Sequence, residues 1–132
     1  MQLEKHISSL FKRLPFFWTK MNERRLHDGT YVQGEPFDYI VIREGTTYCF
    51  DAKEASSKDI LYASNIPAHQ FNDMLKAENN GAKVFFLIYF VKAKKIKFIH
   101  PKTILDDKKA TPFSEETNND LIKEIRSFVL DK

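Results

Sequence analysis

Cysteine and long apolar runs are both scarce in this sequence, and each scarcity excludes a class of protein. The 132 residues include a single cysteine, Cys49. It excludes an internal disulfide and a zinc site built on several cysteines. No apolar run reaches the roughly 18 residues needed to span a bilayer, and the amino terminus has no apolar signal segment. We therefore expect no membrane association and a cytoplasmic location.

Internal repeats and low-complexity segments are also absent, and the length suits one domain over residues 1–132. Hydrophobic residues make up 42% of the chain, enough for one core. Twelve phenylalanines and five tyrosines indicate that this core is aromatic. Cys49 falls within a predicted strand and is interpreted as a small buried hydrophobe.

The charge is distributed unevenly, although the net charge is only +3. Residues 1–105 carry 16 Lys or Arg against 11 Asp or Glu, whereas residues 106–132 carry five against seven. A basic body with an acidic end suits a protein that binds a phosphate backbone, but an ordinary solvated surface explains the charges equally well. The basic clusters are Lys12, Arg13, Lys20, Arg24 and Arg25, and then Lys92, Lys94, Lys95 and Lys97.

Apolar periodicity predicts an α/β (mixed α+β) fold in the order α-β-β-β-α-β-β-α, a mixed central sheet flanked by helices. Pro15 ends the first helix, and residues 16–35 form a short strand and then a loop or arm. Residues 54–66 are interpreted as irregular, and residues 106–132 as a loop and a closing helix. The other predicted elements are strands at 37–43, 46–53, 84–91 (buried on both faces) and 96–99 (an edge strand), a helix from Pro67 to about 79–81, and a turn or helix at 101–105.

The predicted hairpin around Glu44-Gly45 brings acidic residues together. A two-residue turn there pairs Arg43 with Thr46 and places Asp38 opposite Asp51, with Cβ atoms about 4.5–5.5 Å apart. Strand alternation puts Lys53 on the same face as Asp51. Two carboxylates at this distance suit a shared divalent cation, and oxygen ligands favour Mg²⁺, with Mn²⁺ as a substitute.

The alternative is an exposed ion-pair cluster, which is the commoner origin of a bare Asp-x-Lys triplet. Alternation argues against it, because Asp38 shares its face with Ile40 and Asp51 shares its face with Cys49. Charges at the end of an apolar face indicate a partly buried site. Glu4 borders the buried stripe of the first helix, but it can equally stabilise the helix dipole.

The segment Pro36-Phe37-Asp38, followed after twelve residues by Asp51-Ala52-Lys53-Glu54, resembles the PD-(D/E)XK nuclease superfamily, and within it the RecU-type Holliday junction resolvases. The string from Ile66 to Gln70 resembles that family's helix start after the catalytic strand, and Glu4 its leading acidic residue. The resemblance covers residues 1–105 and implies a restriction-endonuclease-like core.

It also implies a Mg²⁺-dependent endonuclease that acts as a homodimer and nicks four-way DNA junctions symmetrically. In that reading Glu4, Asp38 and Asp51 bind metal, Lys53 is the catalytic lysine and Gln70 contacts the phosphate or metal shell. The dimer interface is either residues 16–18 or the last helix. Two alternatives remain open: a restriction- or repair-type endonuclease, or a non-catalytic DNA-binding protein on this fold. The candidate DNA contacts are Lys12, Arg13, Lys20, Arg24, Arg25, Lys58 and His69.

Overall fold

The described part of the computed structural model, residues 2–20, 38–56 and 58–130, is built on a mixed five-stranded sheet with helices on both faces. The helices are α1 (Gln2–Phe11), α2 (Ala68–Asn79), α3 (Pro101–Asp107) and α4 (Asp120–Leu130). The strands are β1 (Phe17–Lys20), β2 (Tyr39–Arg43), β3 (Thr46–Ala55), β4 (Leu61–Tyr62), β5 (Lys83–Phe90), β6 (Lys95–Ile99) and β7 (Lys109–Ala110).

The strand order of the main sheet is β1-β2-β3-β5-β6. β3 and β5 are parallel and are joined through α2, while the other neighbours are antiparallel. Every side chain of β5 from Val84 to Ile88 is buried, as a central strand covered on both faces requires. Because the two strands are parallel, the carboxyl ends of β3 and β5 lie together at one end of the sheet.

Two apolar layers sandwich the sheet. Even-numbered residues of β3, such as Phe50 and Ala52, pack with α1 and α4, and we call this side the α1/α4 face. Odd-numbered residues, such as Cys49 and Ala55, pack with α2 and α3 on the α2/α3 face. The period-two alternation of a strand thus assigns each β3 side chain to one layer.

Glycine fixes the end of α2. Gly81 has φ of 105°, its N–H donates to the Glu78 carbonyl, and Ala82 N–H donates to the Ala77 carbonyl. This is the pattern of a Schellman motif, which favours glycine because the conformation is strained for other residues. At the other end, Pro67 caps α2, so the helix begins one residue later than predicted.

The predicted order of the long elements is confirmed, and short elements are added to it. Residues 54–66 are not wholly irregular, because β4 pairs with β7 in a separate two-stranded sheet. The predicted turn or helix at 101–105 is the helix α3, begun by Pro101 and capped by the His100 side chain, which accepts a hydrogen bond from Lys102 N–H. Within the described ranges, no helix is long and apolar enough to cross a bilayer.

Candidate active site

The β2–β3 hairpin has the predicted register. Its turn residues Glu44 and Gly45 have φ of 50° and 78°, as a two-residue type I′ turn requires. Arg43 pairs with Thr46, and the ladder continues to Tyr39 opposite Phe50. One step further, Asp38 lies beside β3, where its Oδ2 accepts a hydrogen bond of 3.1 Å from Ala52 N–H. The turn therefore delivers Asp38 to the part of β3 that carries Asp51.

Asp51 and Lys53 form an ion pair at the carboxyl end of β3. Lys53 Nζ lies 2.9 Å from Asp51 Oδ2, and the Asp51 side chain is 1% exposed against 24% for Lys53. Both residues lie on the α2/α3 face, because Asp51 and Cys49 are two residues apart in the strand. The pair is partly buried rather than exposed, which removes the solvated-surface alternative for Asp51.

Burial of Asp51 sets its electrostatics. Desolvation raises the pKa of the Asp51 carboxyl above its ordinary value, and the ammonium of Lys53, with a smaller contribution from Asp38, offsets only part of that effect. The raised pKa means that these two neighbours do not fully compensate the burial of the carboxylate. A second positive charge at this position would stabilise the ionised form.

The donor set suits a hard divalent cation. Asp51 Oδ1 is buried and has no hydrogen-bond partner among the residues that the structure describes. Such an atom normally has a partner, so a ligand is a natural explanation for it. Asp38 supplies a second carboxylate nearby. Carboxylate oxygens are the ligands that Mg²⁺ prefers, so the residues present fit such an ion.

A third protein ligand is not found within the described ranges. No group of three His, Cys, Asp or Glu side chains there is arranged to hold a metal. The predicted ligand Glu4 belongs to α1, but its side chain lies outside the described part. Its neighbours Leu3 and Ile7 line a cavity together with Glu54, so the first turn of α1 runs near the carboxyl end of β3.

The first turn of α2 brings polar atoms to the α2/α3 face, which also carries Asp51. The Phe71 ring lies 5.5 Å from that of Phe86, and Phe86 is the register partner of Asp51 on β5. Next to Phe71, Gln70 is buried and its Oε1 has no hydrogen-bond partner among the described residues. The His69 Nε2 atom is also buried and has no hydrogen-bond partner among those residues. These two predicted site residues therefore carry unused polar atoms on the layer that holds Asp51.

The predicted DNA contacts do not form one cluster. Lys20 ends β1 opposite Tyr39, near Asp38, and Lys58 is exposed in the loop after β3. Lys12 and Arg13 instead precede the end of β1 that lies next to the hairpin turn, away from Asp51. Arg24 and Arg25 lie outside the described residues.

Asp59 was missed by the sequence interpretation, although it organises the loop that follows β3. Its Oδ1 accepts a hydrogen bond of 2.9 Å from Lys92 N–H, and its Oδ2 accepts one of 2.7 Å from Ala93 N–H. The residue has φ of 53°, a conformation in which aspartate is enriched. Nothing in the sequence near Asp59 indicates this role, because the amides to which it hydrogen-bonds are more than 30 residues away.

Cys49 plays no part in this chemistry. The thiol is buried, and burial raises its pKa to about 11, so it stays protonated near neutral pH. A protonated thiol is a poor nucleophile and a poor metal ligand. Cys49 packs with Ile40 and Val84 as the small hydrophobe that the sequence indicated.

Comparison with known proteins identifies a family and a fold. The family model described as RecU, recombination protein U, matches residues 3–127. A Holliday junction resolvase RecU from Pediococcus pentosaceus is 29% identical over 87 residues, which are 66% of this chain and 43% of that protein. The match thus covers less than half of that relative's length.

A solved structure supports the fold independently. The structure of Hjc, a Holliday junction resolvase from Archaeoglobus fulgidus, superposes with a TM-score of 0.55 at 17% identity, covering 85% of this chain and 86% of that one. At this identity the likeness concerns the fold, and it confirms the predicted restriction-endonuclease-like mixed α/β core.

Proposed function

This chain belongs to the RecU family, and on that premise we propose that it is a metal-dependent endonuclease that resolves four-way DNA junctions. The observation that carries the proposal is the buried Asp51 carboxylate, which pairs with Lys53 beside Asp38 at the carboxyl end of β3. A protein that only binds DNA gains nothing from holding paired carboxylates close to phosphates. An endonuclease does, because the acids bind the cation that its chemistry needs.

We assign the metal ligands to Asp38 and Asp51, joined by Glu4 directly or through water. Mg²⁺, or Mn²⁺ in its place, supplies positive charge at the phosphate and makes a coordinated water more acidic when bound. Asp38 is held by its hydrogen bond to Ala52 N–H, and Asp51 by its ion pair with Lys53. Both carboxylates are therefore oriented before DNA arrives, which reduces the reorganisation that binding requires.

Lys53 has two roles in this proposal. Its ammonium lies 2.9 Å from Asp51 and is partly exposed, so one side of it remains open to the substrate. There it orients the attacking water and offsets negative charge that develops on the phosphate. The unused Oε1 of Gln70 is an acceptor for that water or for a water in the metal shell.

Two symmetric nicks require two active sites in a fixed relation, and a twofold homodimer provides them. Of the two predicted interfaces, the described part of α4 is engaged within its own protomer, because Leu121, Ile122 and Ile125 are fully buried in the core. Phe17 in β1 is 59% exposed. These exposures favour the β1 surface as the interface.

The test is cleavage of a labelled synthetic four-way junction by the purified protein. With Mg²⁺ we expect paired nicks at symmetric positions in opposite strands, and none in EDTA. Asp51→Asn should abolish cutting while retaining junction binding, because it removes a metal ligand without changing the basic surface. The matched control is Asp106→Asn, an exposed carboxylate in α3, which should cut at the wild-type rate.

Three other outcomes of this test would contradict parts of the proposal. Failure to cut any DNA with either Mg²⁺ or Mn²⁺ would refute the enzyme assignment. Cleavage of a linear duplex at the rate of the junction would retain the nuclease and remove the junction specificity. If Asp51→Asn cuts normally, the assigned site is wrong.

A further inference from the structure

A cavity of about 290 Å³ lies on the α1/α4 face, opposite the side that carries Asp51 and Lys53. Its floor is a row of register partners across three strands, Glu54 in β3, Tyr89 in β5 and Ile96 in β6. α1 and α4 form its walls, through Leu3, His6 and Ile7 and through Ile125. The cavity is mostly apolar, with one carboxylate and two aromatic rings at its boundary.

A basic groove of about 480 Å³ adjoins this cavity and shares Tyr89 and Ile96 with it. Glu116 in the groove is already neutralised, because it pairs with Arg126 and lies 3.5 Å from Lys97. Lys94 and Lys95, both exposed, have no ion pair within the described part of the chain. The groove therefore presents positive charge beside an apolar cavity.

We propose that the cavity binds an unpaired nucleobase of the DNA substrate, and that the adjoining lysines bind its flanking phosphates. Its volume lies just below the usual range of ligand pockets, roughly 300–1,000 Å³, which suits one base. Tyr89 and His6 offer ring surfaces of the kind on which bases stack. Among the described residues Glu54 has no hydrogen-bond or ion-pair partner, so its carboxylate is available to accept a hydrogen bond from the exocyclic amine of cytosine or adenine.

The cavity is close enough to the proposed active site for one substrate to reach both. Lys53 and Glu54 are adjacent in β3 and point to opposite faces. Only Ala55 follows before the strand ends, so a DNA strand can pass around that end of the sheet. The inference rests on the proposed function for its choice of ligand, and it adds a base-binding site that the metal chemistry does not require.

The test measures binding without catalysis. Fluorescence anisotropy in EDTA compares single-stranded oligo-dC, oligo-dA and oligo-dT of equal length at one salt concentration. We expect dC and dA to bind roughly three- to tenfold more tightly than dT, because thymine lacks an exocyclic amine for Glu54. Glu54→Gln should remove most of that preference, because an amide can donate to thymine O4 as well as accept from an exocyclic amine. The matched control Glu115→Gln, an exposed loop carboxylate, should keep it.

A second variant tests the stacking surface. Tyr89→Leu should weaken binding of all three oligonucleotides about tenfold, whereas Tyr89→Phe, which keeps the ring, should bind like the wild type. Circular dichroism of each variant checks that it is folded. Because Glu54→Gln preserves the side-chain shape, it remains informative even if Tyr89→Leu does not fold.

The outcomes separate this inference from the proposed function. Equal affinity for the three sequences, or a preference that survives Glu54→Gln, overturns the base-binding site, and junction cleavage by the same wild-type sample then leaves the nuclease intact. A preference abolished by Glu54→Gln in a protein that cuts no DNA supports the base site and refutes the nuclease. Failure to bind any of the oligonucleotides also overturns the base site.

Discussion

The proposed chemistry needs the Asp51 carboxylate, but burial of that carboxylate costs folding free energy. A carboxyl that is 1% exposed beside a single lysine is an unfavourable group to bury. Desolvation raises its pKa, so the folded protein binds this proton more tightly than the unfolded chain does. The ionised carboxyl therefore costs folding free energy above its raised pKa, and the cost disappears as the pH falls below the unfolded-state value.

Replacement of Asp51 by asparagine should therefore stabilise the protein in the absence of divalent ions. At pH 7 we expect the free energy of unfolding to rise by about 1 kcal/mol, because a neutral amide avoids the desolvation of a buried charge and Lys53 keeps its access to water. Thermal unfolding in EDTA measures the change, and Asp106→Asn is the exposed control. A lower melting temperature for Asp51→Asn would mean that the ion pair with Lys53 outweighs desolvation.

The same raised pKa predicts how pH affects cation binding. Protons and Mg²⁺ compete for the Asp51 carboxylate, so the stabilisation by Mg²⁺ should grow as the pH rises through the raised pKa and then level off. Melting temperatures with and without Mg²⁺, from acidic to neutral pH, measure this stabilisation. Asp51→Asn should show little Mg²⁺ stabilisation at any pH. A stabilisation equal to that of the wild type would place the cation elsewhere.

The β2–β3 hairpin is the element that builds the site, and its turn is not optimal. Glu44 has φ of 50°, a left-handed conformation that favours asparagine over glutamate at the first position of this turn. Its ion pair with Arg43 is 3.5 Å long and exposed, so it compensates little. Arg43 is held instead by Glu124 in α4, at 2.8 Å from its Nε.

Glu44→Asn should consequently stabilise the protein by roughly 0.5–1 kcal/mol without moving Asp38. Urea unfolding measures the gain, and the junction assay should show unchanged cleavage because the hairpin register is preserved. Glu115→Asn makes the same replacement at an exposed loop position and serves as the control. Loss of cleavage in Glu44→Asn would show that Glu44 contributes more than its backbone conformation.

Asp59 links the loop after β3 to the β5–β6 turn through two side-chain hydrogen bonds. Loss of its two hydrogen bonds, to Lys92 N–H and Ala93 N–H, should cost about 1–3 kcal/mol and release the turn that contains Lys94 and precedes Lys95. In Asp59→Ala we expect these two amides to exchange with solvent much faster. Asp59→Asn, which keeps one acceptor oxygen, should retain part of the protection, and equal exchange in all three proteins would contradict this role.

Elements that depend on local alternation were predictable from the sequence, and those that depend on distant contacts were not. The Glu44-Gly45 turn sets the register that brings Asp38 beside β3, so two site residues followed from one turn. β4 and β7 are two residues each, and they pair across 47 and 49 positions, which leaves no periodic signal. The hydrogen bonds of Asp59 were not predictable for the same reason, because they join positions far apart in the sequence. Strand alternation, in contrast, is enough to place Glu54 and Lys53 on opposite faces of the sheet.

On the scale of the whole molecule, the two faces of the sheet carry different surface features. The α2/α3 face carries the acidic site, and the α1/α4 face carries the cavity and the basic groove. A stack of rings from Tyr39 through Phe50 to Phe85, with centroid spacings of 4.9 and 4.8 Å, fills the α1/α4 layer between β2 and β5. The outer edge of β6 is covered, because Glu116 accepts a hydrogen bond from Phe98 N–H and Thr117 N–H donates to the Phe98 carbonyl.

The β1 side offers a different kind of surface. Phe17 and its register partner Ile42 are 59% and 45% exposed, and together they form an apolar patch on the α2/α3 face. Alternation places this patch on the same side of the sheet as Asp38 and Asp51. Paired apolar side chains next to a functional face are typical of an interface between protein chains.

Phe17→Ser should therefore dissociate the proposed dimer while leaving the fold intact, because an exposed ring contributes little to the protomer core. Sedimentation velocity over a range of concentrations measures the shift. Phe113→Ser is the matched control, since Phe113 is 91% exposed in the loop that borders β6, at the sheet edge opposite β1, and should not affect association. The monomeric variant should also nick one strand of a junction without the paired second cut, because each protomer has a single site. A Phe17→Ser protein that remains dimeric and cuts both strands would place the interface elsewhere.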